Sequence, residues 1–354
     1  MNETHKSVQE HYGKILGSKN DLKTKSCMCD QDAYSKEVRD VLPLVADEII
    51  QKSYGCGSPI PPLLEGITLL DLGCGSGRDV FVASKLAGPK GLAIGVDMTE
   101  EQIALAKSCQ EKQRVIFGFD ESNVVFHLGY MENLRDAGIE DDSIDVVISN
   151  CVINLSPFKE DVFKEIWRVL KPGGELIFSD VFADRRMPEW AAKNLTLLGE
   201  CLGGAMYVGD FRRLMGRVGF VDCRHVSVSP LPIDDEEIYR QIGFVSFTQR
   251  TIRAFKIEGL EDACEDYGQT AVYDGGIPGL PHFFDLDDHH RFFAGKPKLV
   301  CGNTAAMLSQ SRYGKFFKIL GDIAVHYGAF DCAEGSSSNG HAVNASGQSS
   351  ACGC

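Results

Sequence analysis

Asp71-Leu72-Gly73-Cys74-Gly75-Ser76-Gly77-Arg78-Asp79 follows directly on an apolar run, Ile67 to Leu70. A strand that feeds a glycine-rich turn and then a helix is the nucleotide-binding start of a doubly wound sheet. Gly73, Gly75 and Gly77 permit a tight turn and a close ligand approach that any Cβ would obstruct. Asp97 ends a second apolar run, Leu92 to Val96, and stands 20 residues beyond Gly77. A carboxylate there can accept both hydroxyls of a ribose.

The turn departs from a dinucleotide fingerprint. That fingerprint reads Gly-x-Gly-x-x-Gly and sets a diphosphate on the helix N-terminus. Here the third glycine comes one position early and an acid precedes the first. Asp71 would repel a diphosphate. It suits a cofactor with a cationic amino-acid end, S-adenosylmethionine. A plain structural turn is the alternative, and the leading acid together with Asp97 argues against it.

Alternation of strand and helix continues from the turn. Strands are predicted at 67–72, 92–97, 124–128, 144–149 and 175–181. Helices are predicted over 78–87, from Thr99 with Gln102 as its capping-box partner, and through Val162, Phe163, Ile166, Trp167, Val169 and Leu170. The last stops at Lys171-Pro172-Gly173-Gly174. The pattern implies an α/β fold, a doubly wound, mostly parallel sheet covered by helices. One further helix is predicted from Ser35 to Gln51, before a linker marked by Pro59, Pro61 and Pro62. Beyond Pro230, short alternating segments such as Phe244 to Phe255 predict a smaller C-terminal α+β domain. The plan is therefore a thiol-bearing lid segment at 1–57, a cofactor-binding domain at 58–230, the α+β domain at 231–330, and a disordered tail at 331–354 that ends Cys352-Gly353-Cys354.

The 354 residues carry 36 basic and 50 acidic side chains, a net charge of −14. Without a basic run or basic–aromatic interleaving, no nucleic-acid or anionic-membrane partner is expected. No apolar run is long enough to span a bilayer. The polar stretch Met1 to Asn20 lacks a signal-peptide core. We expect a cytoplasmic monomer. Its 13 cysteines are odd in number and do not resemble a secreted disulfide framework. In a reducing compartment they are buried fillers, metal ligands or redox groups.

Position separates these thiols. Cys151 follows the strand 144–149, and α/β sheets bind ligands beyond the carboxyl ends of their strands. That favours a functional thiol over a small buried hydrophobe. Cys201 sits in the glycine-broken stretch Gly199-Glu200-Cys201-Leu202-Gly203-Gly204, and Cys56 lies between Gly55 and Gly57. For both, packing beside a turn and ligand contact stay open. Cys74 lends only backbone. Cys109, Cys223, Cys264, Cys301 and Cys332 have no glycine or strand-end context, and packing is the favoured reading. His282, Asp285, Asp287, Asp288, His289 and His290 read as solvated charge on an exposed turn rather than as a metal site.

Five stretches together resemble one family, the arsenite S-adenosylmethionine methyltransferases. They are Tyr54-Gly55-Cys56-Gly57, the 71–79 turn, Gly95-Val96-Asp97-Met98-Thr99, Ser149-Asn150-Cys151-Val152-Ile153-Asn154-Leu155, and Gly199 to Ala205. The resemblance runs from about Tyr12 to the 310s. The glycine turn is generic to methyltransferases, whereas the three cysteine contexts are specific. It implies a class I methyltransferase fold, Rossmann-like, and trivalent arsenic bound by Cys151 and Cys201 with Cys56 as a third sulfur ligand. It implies a redox step pairing Cys27 with Cys56, although Cys29 stands nearby as a second candidate. For the cofactor it implies Tyr54, Asp71, Gly73, Gly75, Asp97, Met98, Met131, Glu132 and Asn150, the two methionines flanking the adenine. It also implies arsenic detoxification by way of methyl- and dimethylarsenicals, and a thioredoxin- or glutathione-type thiol reductant. Cys352 and Cys354 fit the family's habit of clustered tail cysteines.

The chemistry suits those groups. Trivalent arsenic is soft and binds thiolates. Three sulfurs leave its lone pair free to attack, whereas zinc prefers four ligands and offers no nucleophile. The methyl group is already activated on its sulfonium, so the protein must supply in-line placement, which is worth roughly 7–11 kcal/mol at its best. Methyl transfer formally oxidises arsenic by two electrons, and two thiols closing to one disulfide return them. Two other functions are compatible with the residues alone. One is a methyltransferase for a carbon or oxygen acceptor, with the cysteines as filler. The other is a thiol-based arsenic or zinc binding module with vestigial cofactor use.

Overall fold

The computed structural model describes His5, Val8, Gln9 and residues 34–332. Cys27, Cys29, Cys352 and Cys354 lie outside the described residues.

The single helix predicted from Ser35 to Gln51 is two helices. α1 (Lys36–Val41) and α2 (Asp47–Gln51) are separated by a 3₁₀ turn over Leu42–Leu44. Pro43 causes the break, since it has no N–H for the helical ladder and disfavours helical geometry at the residue before it. Ser35 caps α1 by accepting from the Val38 N–H at 3.3 Å.

The chain then alternates as predicted: β1 (Thr68–Leu72), α3 (Arg78–Ala87), β2 (Leu92–Asp97), α4 (Glu100–Phe117), β3 (Val124–Leu128), β4 (Ile144–Asn150), α5 (Lys159–Val169) and β5 (Leu170–Ala183). β5 begins earlier than predicted. Lys171-Pro172-Gly173-Gly174 does end α5, but the segment runs on extended, with a register irregularity against β4. Thr99 is the N-cap of α4 without a side-chain cap bond, so the expected capping box is absent. The carboxylate of Asp97 accepts the Thr99 N–H instead, at 2.8 Å.

Next come α6 (Leu195–Gly199), β6 (Met206–Tyr207), α7 (Val208–Val218), β7 (Cys223–Leu231), α8 (Glu236–Ile242) and β8 (Phe247–Phe255). The main sheet has the order β3-β2-β1-β4-β5-β8-β7, with β6 beside β5. Its first five strands are mutually parallel, β8 is antiparallel to β5, and β7 is antiparallel to β8. Successive residues along a strand face opposite layers. Leu69, Val146 and Ile177 join Phe81 and Ile103 on one face. Leu70, Val147, Leu176 and Phe178 join Phe163, Ile166 and Phe211 on the other. A sheet apolar on both faces must be covered on both, as a doubly wound fold is.

The C-terminal part holds β9 (Glu265–Asp266), β10 (Gln269–Tyr273), β11 (Phe283–Asp285), β12 (Arg291–Phe293), β13 (Pro297–Val300), α9 (Gly302–Gln310), β14 (Phe317–Leu320) and β15 (Gly328–Ala329). Strands β13-β10-β14 form a small antiparallel sheet. A separate core of Tyr273, Phe284, Phe292, Met307 and Tyr313 packs around it. The boundary expected at 231 therefore needs correction. β8 lies beyond it yet belongs to the main sheet, because the β7–β8 ribbon covers the free edge of β5. A buried ionic knot joins the two parts: Glu175 of β5 accepts from Arg253 Nε at 2.7 Å, from the Tyr313 hydroxyl at 3.1 Å and from Arg312. Among the described residues, no helix is long and apolar enough to cross a membrane.

Candidate functional site

β1 and β4 are neighbours in the sheet, yet the chain leaves β1 toward β2 and leaves β4 toward β5. A crevice opens at such a switch point, beyond the carboxyl ends of the strands. Here it holds about 1010 Å³ of space, counting its mouth. Its walls include every residue assigned above to the cofactor: Tyr54, Asp71, Gly73, Gly75, Asp97, Met98, Met131, Glu132 and Asn150.

The glycine turn is drawn onto β2 by its own backbone. The Gly73 N–H donates to the Val96 carbonyl at 2.8 Å, and the Gly75 N–H to the Asp97 carboxylate at 2.8 Å. Gly73 has φ 66°, and a Cβ there would lie 2.5 Å from a Val152 methyl carbon. Only glycine meets both demands.

The crevice is acidic. Burial pushes the Asp71 carboxyl well above its usual range, and the charge of Asp79 pushes it further. Burial raises Asp97 as well. Arg78 is nearby, but Asp79 engages it through two hydrogen bonds, at 2.8 and 2.9 Å. Three carboxylates, two of them buried and Asp97 half-buried, with one committed guanidinium favour a cationic ligand, which would restore their ionised forms. An ammonium and a sulfonium fit that requirement, and a diphosphate does not. Asp79 stood in the quoted turn, but its role depends on a neighbourhood that sequence does not display.

His5 and Val8 line this crevice, and Gln9 contacts its wall. Gln9 Nε2 donates to the Met98 carbonyl at 2.7 Å, and His5 Nε2 lies 3.0 Å from Glu132 Oε1. His5, Val8 and Gln9 carried no signal in the sequence, because nothing local announces a contact across so long a stretch of chain.

Three thiols meet at the same edge. Cys56 and Cys151 form a disulfide with Cα atoms 5.7 Å apart. The Cys201 thiol donates to the Cys151 carbonyl at 3.3 Å. Cys151 is itself a wall of the cofactor crevice. The resemblance pairs Cys56 with Cys27, whereas here its partner is Cys151, and Cys27 is outside the described residues. Asn150 explains the placement. Its Oδ1 accepts from the Cys56 and Gly57 N–H groups at 3.0 and 3.2 Å, and its Nδ2 donates to the Gly57 carbonyl at 2.9 Å and to Asp79 at 3.0 Å. A Cβ on Gly57 would lie 2.3 Å from Ser179 Oγ, so this approach needs glycine beside Cys56.

Cys151 and Cys201 share a second property. Both are left-handed, with φ 60° and 59°. Such a conformation costs a residue with a Cβ on the order of 1–3 kcal/mol. Cys201 directly follows Glu200, the C-cap of α6, and there Leu202 and Gly203 donate to the Leu197 carbonyl at 2.9 and 2.7 Å. Glycine is usual at such a cap. Cys56, Cys151 and Cys201 belong to one buried apolar cluster with Leu155, Leu197, Leu198 and Leu202. Asp180 is buried close by and accepts from the Asn154 N–H at 3.0 Å; burial pushes its carboxyl up to about 7.

The histidine–aspartate turn is only partly solvated: His282, Asp285 and Asp288 are exposed. Asp287 and His290 are 5% and 3% exposed, and Asp287 lies 3.3 Å from the buried Arg224 guanidinium.

Residues 63–219 match the family model described as a methyltransferase domain, and residues 267–339 match the arsenite methyltransferase C-terminal domain. An arsenite methyltransferase of Aquipseudomonas alcaligenes is 47% identical over 327 residues, which is 92% of this chain and 94% of that protein. The arsenite methyltransferase of Homo sapiens is 40% identical over 319 residues, covering 90% of this chain and 84% of that one. The crystal structure of an arsenic(III) S-adenosylmethionine methyltransferase from Chlamydomonas reinhardtii aligns with a TM-score of 0.81 at 51% identity, covering 84% of this chain and 100% of that one.

Proposed function

The chain belongs to the arsenite methyltransferase family, S-adenosylmethionine-dependent transferases that act on arsenite, and on that premise we propose that it methylates trivalent arsenic held by the thiolates of Cys56, Cys151 and Cys201. One observation carries this reading: the three sulfur-bearing residues converge, and one of them lines the cofactor crevice.

Asp71 takes the cationic amino-acid end of S-adenosylmethionine and Asp97 its ribose. Met98 and Met131 flank the base, and Tyr54, Gly73, Gly75 and Glu132 complete the walls. When bound, the cofactor supplies a methyl group already activated for attack. Asn150 positions the Cys56 loop. Each thiol replaces one hydroxide of arsenite, and its proton leaves with that hydroxide as water. The leucine walls keep water from the bound metalloid. Residues 1–57 act as a lid over both ligands.

Methylation leaves arsenic two electrons more oxidised. Closure of Cys56 and Cys151 into a disulfide returns both electrons and restores trivalent methylarsenic. Cys27 then attacks Cys56 and frees Cys151, and a thioredoxin- or glutathione-type reductant reopens the resulting bond by thiol exchange. Repetition gives the dimethylated product. The activity detoxifies arsenic in the cytoplasm, and the enzyme acts as a monomer. Incubation with arsenite, S-adenosylmethionine and a thiol reductant is expected to yield methylarsenicals. Equal product from wild type, Cys151→Ser and Cys201→Ser would refute the thiolate assignment.

A further inference from the structure

Cys264, Cys301 and Cys332 read as packing cysteines in the sequence. In the fold they meet, with their sulfur atoms all within 4.8 Å of one another. They are 4%, 0% and 8% exposed. Three distant segments are brought together to achieve this. β15 pairs with β9, and the Phe330 N–H donates to the Cys264 carbonyl at 2.8 Å, so strand register sets Cys332 beside Cys264. Cys301 is the N-cap of α9 and accepts from the Thr304 N–H at 3.4 Å. Side chains at that position are usually Ser, Thr, Asp or Asn. A sulfur there points to a thiolate, which a helix N-terminus favours. Arg224 is fully buried and donates to the same sulfur at 3.8 Å.

Apolar filling explains buried thiols, but it gives no reason for three sulfurs to face one another beside an arginine. Among the described residues, the group contains no histidine, aspartate or glutamate. Zinc would seek four ligands. Three sulfurs suit an acceptor that stops at three and keeps a lone pair, and the family's own substrate is one. We propose that Cys264, Cys301 and Cys332 form a second site, a trithiolate cage for trivalent arsenic in the C-terminal domain. It rests on family membership only for the identity of the metalloid.

Binding converts three S–H and three As–OH bonds into three As–S bonds and three water molecules, and no electrons move. None of the three cysteines lines the cofactor crevice. Arsenic held here is therefore retained rather than methylated, and it ties β9, α9 and the segment after β15 together.

The test uses the full chain with serine at Cys27, Cys29, Cys56, Cys151, Cys201, Cys352 and Cys354, fully reduced and stripped of metal. After arsenite treatment and desalting, about one arsenic per chain is expected, with a mass gain of one arsenic less three protons. X-ray absorption should show three sulfur neighbours and no oxygen. Adding Cys264→Ser or Cys332→Ser should cut the retained arsenic at least tenfold, with circular dichroism unchanged. No retained arsenic, retention indifferent to those substitutions, a mixed sulfur–oxygen shell, or stoichiometric zinc that arsenite does not displace would each overturn the proposal. In the otherwise wild-type chain, Cys332→Ser should methylate arsenite at the wild-type rate, because the cage lies outside the methylation site. Loss of methylation on Cys151→Ser bears on the catalytic reading alone, since the caged thiols are intact there.

Discussion

Asn150 and Cys56 lie 94 residues apart in the chain, yet the Asn150 side-chain oxygen accepts the Cys56 backbone N–H at 3.0 Å. One amide thus fixes the Cys56 loop to the end of β4 with three hydrogen bonds, two accepted and one donated, and donates a fourth to Asp79. An amide can serve both kinds of partner and a carboxylate cannot. Asn150→Asp would set an oxygen against the Gly57 carbonyl and the Asp79 carboxylate, and the loop would be repelled. Misplacement by about 1 Å can cost roughly 100-fold in rate. We expect kcat for arsenite methylation to fall by about 10- to 100-fold in Asn150→Asp. The Cys56–Cys151 disulfide should also form more slowly in single-turnover thiol counting. Wild-type values for both would show that the amide does not position the loop.

Cys201 occupies a glycine's conformation. In Cys201→Gly the left-handed strain disappears, while the buried sulfur contacts are lost and the unfolded chain gains freedom. These effects oppose each other at similar size. Unfolding free energy in urea should stay within about 1 kcal/mol of wild type, while arsenite methylation is lost. Cys201→Ser keeps the strain and buries a hydroxyl in place of a thiol, so it should be the less stable of the two. A Cys201→Gly variant destabilised by well over that margin would mean the thiol is held there for packing.

Most of the main sheet could be read from sequence because the cofactor turn and period-two strands are local signals. The position of Asp71, Gly73, Gly75 and Asp97 on the crevice wall was legible for the same reason: they sit at strand ends, where geometry follows from the fold class. Three things were not legible. Pro43 divided the stretch from Ser35 to Gln51, read as one helix, into two. β8 looked like a member of the second domain, since an antiparallel edge strand alternates in the same way wherever it pairs. Cys264, Cys301 and Cys332 looked like filler, because convergence of distant segments depends on strand register and helix capping that no window of sequence displays.

Glu175 is a buried anion that pairs with two arginines and joins the main sheet to the C-terminal core. Burial alone would raise its pKa, but Arg312 and Arg253 outweigh it and hold the carboxyl below its ordinary value. Removing one partner of such a knot leaves uncompensated buried charge and costs about 3–5 kcal/mol. Glu175→Gln should lower the urea midpoint accordingly. The junction should loosen first, seen as faster hydrogen exchange in β8 and around Tyr313. A variant as stable as wild type, with unchanged exchange, would show that the apolar contacts suffice.

Asp180 gives a pH dependence of definite sign. Its folded pKa of about 7 lies above the ordinary 3.8, because burial disfavours the carboxylate. Between those values the native state binds more protons than the unfolded state. This group's contribution to stability is therefore greatest at low pH and falls as pH rises through the window. A tenfold difference in proton affinity is worth about 1.4 kcal/mol, so the effect cannot exceed about 4 kcal/mol. An asparagine at this position does not titrate, and its cost, one backbone N–H facing an amide instead of an acceptor, is the same at every pH. The stability difference between wild type and Asp180→Asn should therefore narrow or reverse from pH 5 to pH 8, as read by urea unfolding at each pH. A difference that stays constant across that range would mean Asp180 is ionised throughout, held as a carboxylate by the Val181 and Asn154 N–H groups and by Lys159.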